Sequence, residues 1–314
     1  MNNRKPRISI GLPVYNGERF LKEALDSLLA QSYGDFELII SDNASTDGTE
    51  EICRATVVKD ERVRYYRNEK NIGVGRNFNR VFDLSMGEYF KWASADDVCR
   101  PEHLASCIDV LDHDPTVVLA HPKTRFIDEN GRTLDINDAG WDLRSEAAHE
   151  RLGYAIRAGY WVNAHYGLMR AGALAQTRLL PSYPGGDFRL MAELSLKGKF
   201  VEIPQYLFCR RIHPGASSQN TTRLIETIDF YGDNRRVCLP FWNLNFDHVI
   251  TVMSSELSVR HKLSLLGIVM RGMWWAHSRL FHELENGLMT AAGRIPKSRL
   301  GVAENIKHGK GDEN

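Results

Sequence analysis

The chain has 314 residues, 43% hydrophobic and 25% charged, a balance that excludes a wholly disordered chain and suits one large domain with an appendage. Its 40 basic and 40 acidic side chains cancel, so the basic excess of a nucleic-acid binder is missing and nucleic acid is not expected as a partner. Cys53, Cys99, Cys107, Cys209 and Cys238 form no Cys-x-x-Cys pair and read as reduced thiols of a cytoplasmic protein, not as a zinc site or a disulfide framework.

RISIGLPV (7–14) alternates apolar and polar residues and stops at a Pro/Asn/Gly turn, as a strand entering a loop does. Phe20, Leu21, Ala24, Leu25, Leu28 and Leu29 repeat at helical spacing. FELIIS (36–41) is a short buried-strand pattern closed by Asp42, and Ser45 or Thr46 is placed to cap the helix that follows. A third strand is expected at 62–66. Val74, Phe78, Val81 and Phe82 mark a helix face, EYFKWA (88–93) a fourth strand, and Pro101 the opening of a helix bearing Leu104, Ile108 and Leu111. This rhythm predicts a mostly parallel twisted sheet flanked by helices, with ligands beyond the carboxyl ends of the strands. Asp42, Asp96 and Asp97 all fall just past such ends.

Beyond residue 115 the pattern predicts two strands joined by a turn at Asn130-Gly131, a helix over 144–158, and a helix over Gly186–Gly198. Two strand segments follow, KFVEIP and YLFCRRI. The boundaries drawn are a catalytic domain over 1–220, a helical extension over 221–293 and a polar, disordered tail over 294–314.

Adjacent carboxylates at a strand-to-loop junction, Asp96-Asp97, can hold Mg²⁺ or Mn²⁺ with diphosphate oxygens completing the shell; the bland reading is a pair complementing a helix dipole. Asp42 can accept from a nucleobase or ribose, or simply form a turn. Asp187 after Gly185-Gly186 suits a general base and equally an N-cap. His213, in a loop after Arg210 and Arg211, is a metal ligand or phosphate donor in one reading and a solvated loop residue in the other. Gly73 and Gly75 lack the full Gly-x-Gly-x-x-Gly spacing because position 78 is Phe, which sets aside a dehydrogenase.

In order, Pro13-Val14-Tyr15-Asn16-Gly17, Ser41 to Thr49, Asn71-Ile72-Gly73, Gly87-Glu88-Tyr89 and Ala95-Asp96-Asp97 resemble the family 2 glycosyltransferases of GT-A fold. The resemblance covers about residues 7–218 and is most specific in the first 112. It implies inverting transfer from a nucleotide-sugar donor, UDP-sugar favoured, with Mn²⁺ or Mg²⁺. By that likeness Pro13, Tyr15, Asn16, Asp42, Asn71, Arg76, Ser94 and Asp96 bind the nucleotide sugar. Asp96, Asp97 and His213 hold metal, and Asp187 is the catalytic base. The acceptor is a carbohydrate, lipid-linked or small-molecule hydroxyl. Ser94 stands where the family often has Asp, Gly186 where it often has Glu, and Phe78 where it often has Arg, with Arg76 as the substitute. The alternatives are a non-catalytic nucleotide-sugar-binding module and a nucleotidyltransferase, the latter disfavoured because the loop after the first strand carries only Arg19.

The N-terminus shows no signal-peptide pattern. The most apolar region, Leu263 to Trp275, is interrupted by Arg271 and is too short to span a bilayer, which needs ~20 apolar residues. It is expected to pack on the catalytic domain or a second subunit, or to lie at a membrane surface. Trp141 and Trp161 can stack on a sugar or fill core.

Overall fold

The computed structural model describes residues 5–138, 140–158, 162–216 and 239–291. Eight strands form one mixed sheet. Strands β1 (Ile8–Val14), β2 (Phe36–Asp42), β3 (Val63–Arg67) and β4 (Tyr89–Trp92) are its parallel half. Strands β5 (Val98–Cys99), β6 (Val117–Ile127), β7 (Leu168–Arg170) and β8 (Lys199–Arg211) are the other half. The spatial order is β3-β2-β1-β4-β7-β6-β8-β5. β7 runs antiparallel to β4 and β6, β5 antiparallel to β8, and β6 parallel to β8.

The helices are α1 (Glu18–Leu29), α2 (Thr49–Lys59), α3 (Val74–Asp83), α4 (His103–His113), α5 (Ala148–Arg157), α6 (Ala171–Leu174), α7 (Gly186–Ser195), α8 (Pro240–Ser254), α9 (Val259–Trp275) and α10 (His277–Ala291). Period-two alternation sorts the strand residues onto two cores. Leu38 and Ile40 join Ile8, Ile10 and Leu12 in one core with Leu21 and Leu25 of α1 and Leu104 and Leu111 of α4. Ile39 faces the other way, with Phe90 and Trp92, into the core of α3, α5 and α7.

The first four strands stand within a residue of their expected places. Three later expectations are corrected. The return strand after Asn130-Gly131 is only a bridge from Thr133 to Ile127: Leu134 and Ile136 alternate with polar residues, but neither is buried. The two strand segments after residue 198 are one strand, β8, whose register shifts near Pro122 accommodate Pro204. Neither Ser45 nor Thr46 caps α2, which starts at Thr49 after Gly48; Ser45 Oγ instead accepts from the Asn16 amide at 2.9 Å. The tail at 294–314 lies outside the described residues.

Candidate functional site

β1 has neighbours β2 and β4 on its two sides: the chain steps outward from β1 to β2 and β3, then crosses back to β4 on the other side. Such a switch point opens a crevice beyond the strand ends. A cleft of about 750 Å³ lies there, lined on one side by Pro13, Tyr15, Asn16, Asn43 and Asn71 and on the other by Ser94, Asp96, Asp187, Arg210 and His213.

The loops after β1 and β2 interlock. The amide of Gly17 donates to Thr49 Oγ1 at 2.9 Å, that of Glu18 to an Asp47 oxygen at 3.1 Å, and that of Thr46 to Asn16 Oδ1 at 2.8 Å. Gly48 N–H returns to Glu18 at 2.5 Å. Asn16 and Ala44 hold positive φ, 51° and 62°, a conformation Asn tolerates and Ala does not favour. Below them a chain of amides spans the floor. Asn43 Nδ2 donates to Asn71 Oδ1 at 2.7 Å, and Asn43 Oδ1 accepts from Asn68 Nδ2 at 2.9 Å. Asn77 Oδ1 accepts from Ser41 Oγ at 2.7 Å.

Asp42 is not on the wall. It is fully buried and accepts from Ser45 N at 2.8 Å, from Tyr65 Oη at 2.8 Å and from Arg67. Three of about four acceptor positions of a carboxylate are therefore filled by the protein. Arg76 is exposed on α3 and also off the wall.

Ser94 donates to Asp96 Oδ1, and Asp96 Oδ2 meets His213 Nε2 at 3.0 Å. Burial works against the Asp96 charge, but the bonds from His213 and Ser94 outweigh it and hold the carboxyl below its ordinary range. Asp97 sits behind, 7% exposed, accepting from the Arg211 amide at 2.8 Å. Burial, then the neighbouring Asp96 charge, pushes it up to about 8. Arg211 clamps this loop from β8: Nε donates to Asp96 O at 2.9 Å and one terminal nitrogen to Glu23 at 2.7 Å.

A hard cation sharing diphosphate oxygens needs one or two protein ligands. Asp96 and His213 fit that requirement. Among the described residues no group of three His, Cys, Asp or Glu could hold an ion by protein ligands alone.

Asp187 lies in the first turn of α7; Gly185, at φ 84°, holds the N-cap position expected of Asp187. Gly186 lets that turn close on Pro181, since a Cβ there would stand 2.5 Å from the proline ring. Burial raises the Asp187 pKa, opposed by the Phe188 amide and the Arg210 charge. Such a carboxylate on a cleft wall is a stronger base than a solvated one. Arg210, beside it, donates to Asn163 at 2.6 Å.

The wall also holds residues that sequence reasoning missed: Asn43, Asn77, His165, Tyr166 and Tyr183. The crowding of Asn43, Asn68, Asn71 and Asn77 around turns was the available signal for the first two. Trp141 is buried against Tyr154 and Phe188 and is core; Trp161 lies outside the described residues.

The family model described as Glycosyl transferase family 2 matches residues 9–169. A protein of Methanocaldococcus jannaschii named uncharacterized glycosyltransferase is 33% identical over 132 residues, 41% of this chain and 46% of that protein. Chondroitin synthase of Escherichia coli is 27% identical over 233 residues, 74% of this chain and 32% of the synthase. The chain thus spans less than half the length of these relatives. Among solved structures, S. aureus TarS 1–349 in complex with UDP-GlcNAc superposes with a TM-score of 0.66 at 16% identity, over 90% of this chain and 81% of that one. Mannosyltransferase PcManGT of Pyrobaculum calidifontis, in complex with GDP-Man and Mn²⁺, gives 0.52 at 14% identity, over 92% and 81%. At these identities the structural likeness establishes the GT-A fold alone.

Proposed function

The chain belongs to glycosyl transferase family 2, and on that premise we propose that it is an inverting glycosyltransferase moving a sugar from a nucleotide-diphosphate sugar to a hydroxyl acceptor. The observation that carries the reading is one cleft with a half-buried Asp187, its pKa raised by desolvation, on the same wall as the Asp96–His213 pair. UDP-sugar is the favoured donor, supported by the TarS complex. The acceptor class is a carbohydrate, lipid-linked or small-molecule hydroxyl, in surface-polysaccharide, glycolipid or natural-product glycan synthesis. The buried, unpaired Cys53, Cys99, Cys107 and Cys209 support a reducing, cytoplasmic setting. Domain limits of 1–220 and 221–293 belong to the same proposal.

In this proposal Pro13, Tyr15, Asn16 and Asn71 flank the nucleoside and Ser94 the ribose. Asp42 acts at one remove, fixing the Ser45 turn, and Arg76 adds positive charge on the first turn of α3. Asp96 and His213 would hold Mn²⁺ or Mg²⁺, with Asp97 behind them; the ion supplies positive charge for the leaving diphosphate. Asp187 takes the proton of the acceptor hydroxyl as its oxygen attacks the anomeric carbon and the bond to diphosphate breaks on the opposite face. Arg210 lies where it can offset negative charge on the leaving group.

Thermal stability against a panel of nucleoside diphosphates, each with and without Mn²⁺, tests the binding half. A ligand at 100 times its dissociation constant adds ~2.7 kcal/mol, so a metal-dependent rise in Tm with one base is expected and names the donor. Hydrolysis of the matching sugar donor tests the transferase half. Binding without hydrolysis or transfer would leave a non-catalytic module, with Ser94 in place of the family's usual carboxylate as the reason.

A further inference from the structure

Helix α9 is apolar on two opposite sides. Leu265 and Val269 are buried where it packs on α5 and α8. At 3.6 residues per turn, Val259, Leu263, Met270 and Trp274 fall within about 60° of arc on the other side. These four are 73%, 64%, 60% and 74% exposed, and Trp275, next in the chain but about 100° further round the wheel, 79%. Arg260 and Arg271, both exposed, follow on the wheel within about 60° of Trp274. The helix holds three basic residues, Arg260, Lys262 and Arg271, and no acidic one. On α8, Phe246, Ile250 and Met253 are also exposed at helical spacing. Lys262 Nζ donates to Met253 O at 2.9 Å, fixing the two helices side by side.

We propose that the outer face of α9, together with Met253 of α8, docks on an anionic bilayer surface. Two facts select lipid over protein. An apolar stripe with Trp274 at one edge and the arginines just beyond it places each group at its preferred depth in a bilayer interface: aliphatic side chains in the acyl boundary, the Trp274 indole at headgroup level, guanidiniums at the phosphates. A second copy of the chain meeting this face across a two-fold axis would instead set like charges against each other. The helix lies in the plane of the membrane, since 17 residues containing Arg271 are too few and too charged to cross. Among the described residues no helix is long and apolar enough to do so.

The docking stands independently of the transfer reaction, because it is read without substrate. The full chain is floated with vesicles of phosphatidylcholine alone and of phosphatidylcholine with phosphatidylglycerol. Binding to the anionic vesicles, weakening with salt, is expected. Arg260→Gln and Arg271→Gln should each reduce affinity about fivefold. Met270→Glu and Trp274→Glu should abolish binding while the circular dichroism spectrum and Tm stay unchanged. Equal binding to both vesicles would overturn the charge selection. Absence of binding, with a dimer in light scattering that Trp274→Glu dissociates, would assign the face to a second copy. Absence of binding by a monomer would show that another part of the chain covers it.

Discussion

At the scale of single residues, the cleft separates carboxylates of identical chemistry by environment. Asp42 is consumed by Ser45, Tyr65 and Arg67, Asp96 is held ionised by its two partners, and Asp187 is raised by burial. A base must be deprotonated to act, so a raised pKa moves the loss of activity on acidification to higher pH. In the proposed reaction kcat/KM is expected to fall as pH drops through a range above that of solvated carboxylates. Asp187→Asn should lose about a hundredfold or more in turnover, retain donor binding by thermal shift, and lose that acid limb. Near-normal turnover would remove Asp187 from the role. The positions of Asp96, Asp187 and His213 in the cleft were legible from order along the chain. The withdrawal of Asp42 behind the wall was not, because it depends on Arg67 and Tyr65, a strand away, whose pairing no local pattern encodes. His165 and Tyr183 escaped notice for the same reason: no local pattern marks either, and only the fold brings them to the cleft.

At the scale of elements, Asp187, the proposed base, is aimed by the entry to α7. Gly185 supplies a left-handed turn and Gly186 a close approach to Pro181. Gly186→Ala would drive a methyl group into a proline ring that has no soft torsion to yield. Overpacking of this kind costs about 1–3 kcal/mol. A shift of the first turn by an ångström can cost ~10²-fold in rate. Donor binding should survive, since the nucleoside wall belongs to other elements; unchanged turnover with unchanged Tm would show that the turn has slack. The strands before residue 100 were readable because each is a short apolar run ended by a turn residue. The failed hairpin after Asn130-Gly131 shows the limit: a turn signal makes a ladder only where both flanks find a core to cover them, and Leu134 and Ile136 alternate yet stay half-exposed or exposed.

At the scale of the whole molecule, the last helices are tied to the catalytic wall. Asp247 of α8 takes Arg178 at 2.7 Å, Arg189 at 3.5 Å and the Tyr183 hydroxyl. Arg189 is 9% exposed and Tyr183 lines the cleft. Asp247→Ala would take from the buried Arg189 one of its two carboxylate partners, leaving Glu193 at 3.7 Å, and would orphan the Tyr183 hydroxyl, a loss of about 1–3 kcal/mol. It should therefore lower Tm and, by loosening the segment that carries Asp187, lower turnover as well. A drop in Tm alone would mean that α8 braces the fold without steering the site. The apolar periodicity of 240–275 announced helices that must bury a face, but an ion pair between distant segments leaves no trace in either of them.

The sheet order has one more consequence, for the way the protein is made. Asp97 rests on the amide of Arg211, 114 residues later, and the only sheet neighbour of β5 among the described residues is β8. The cleft wall made by Pro13, Tyr15, Asn16, Asn43 and Asn71 comes from the first hundred residues, whereas the Asp96 loop lacks its Arg211 and His213 partners until β8 and the loop after it exist. A nascent chain still on the ribosome could therefore shape half a site but not close it. The cleft is a late product of folding, reached through long-range pairings that are slow to form.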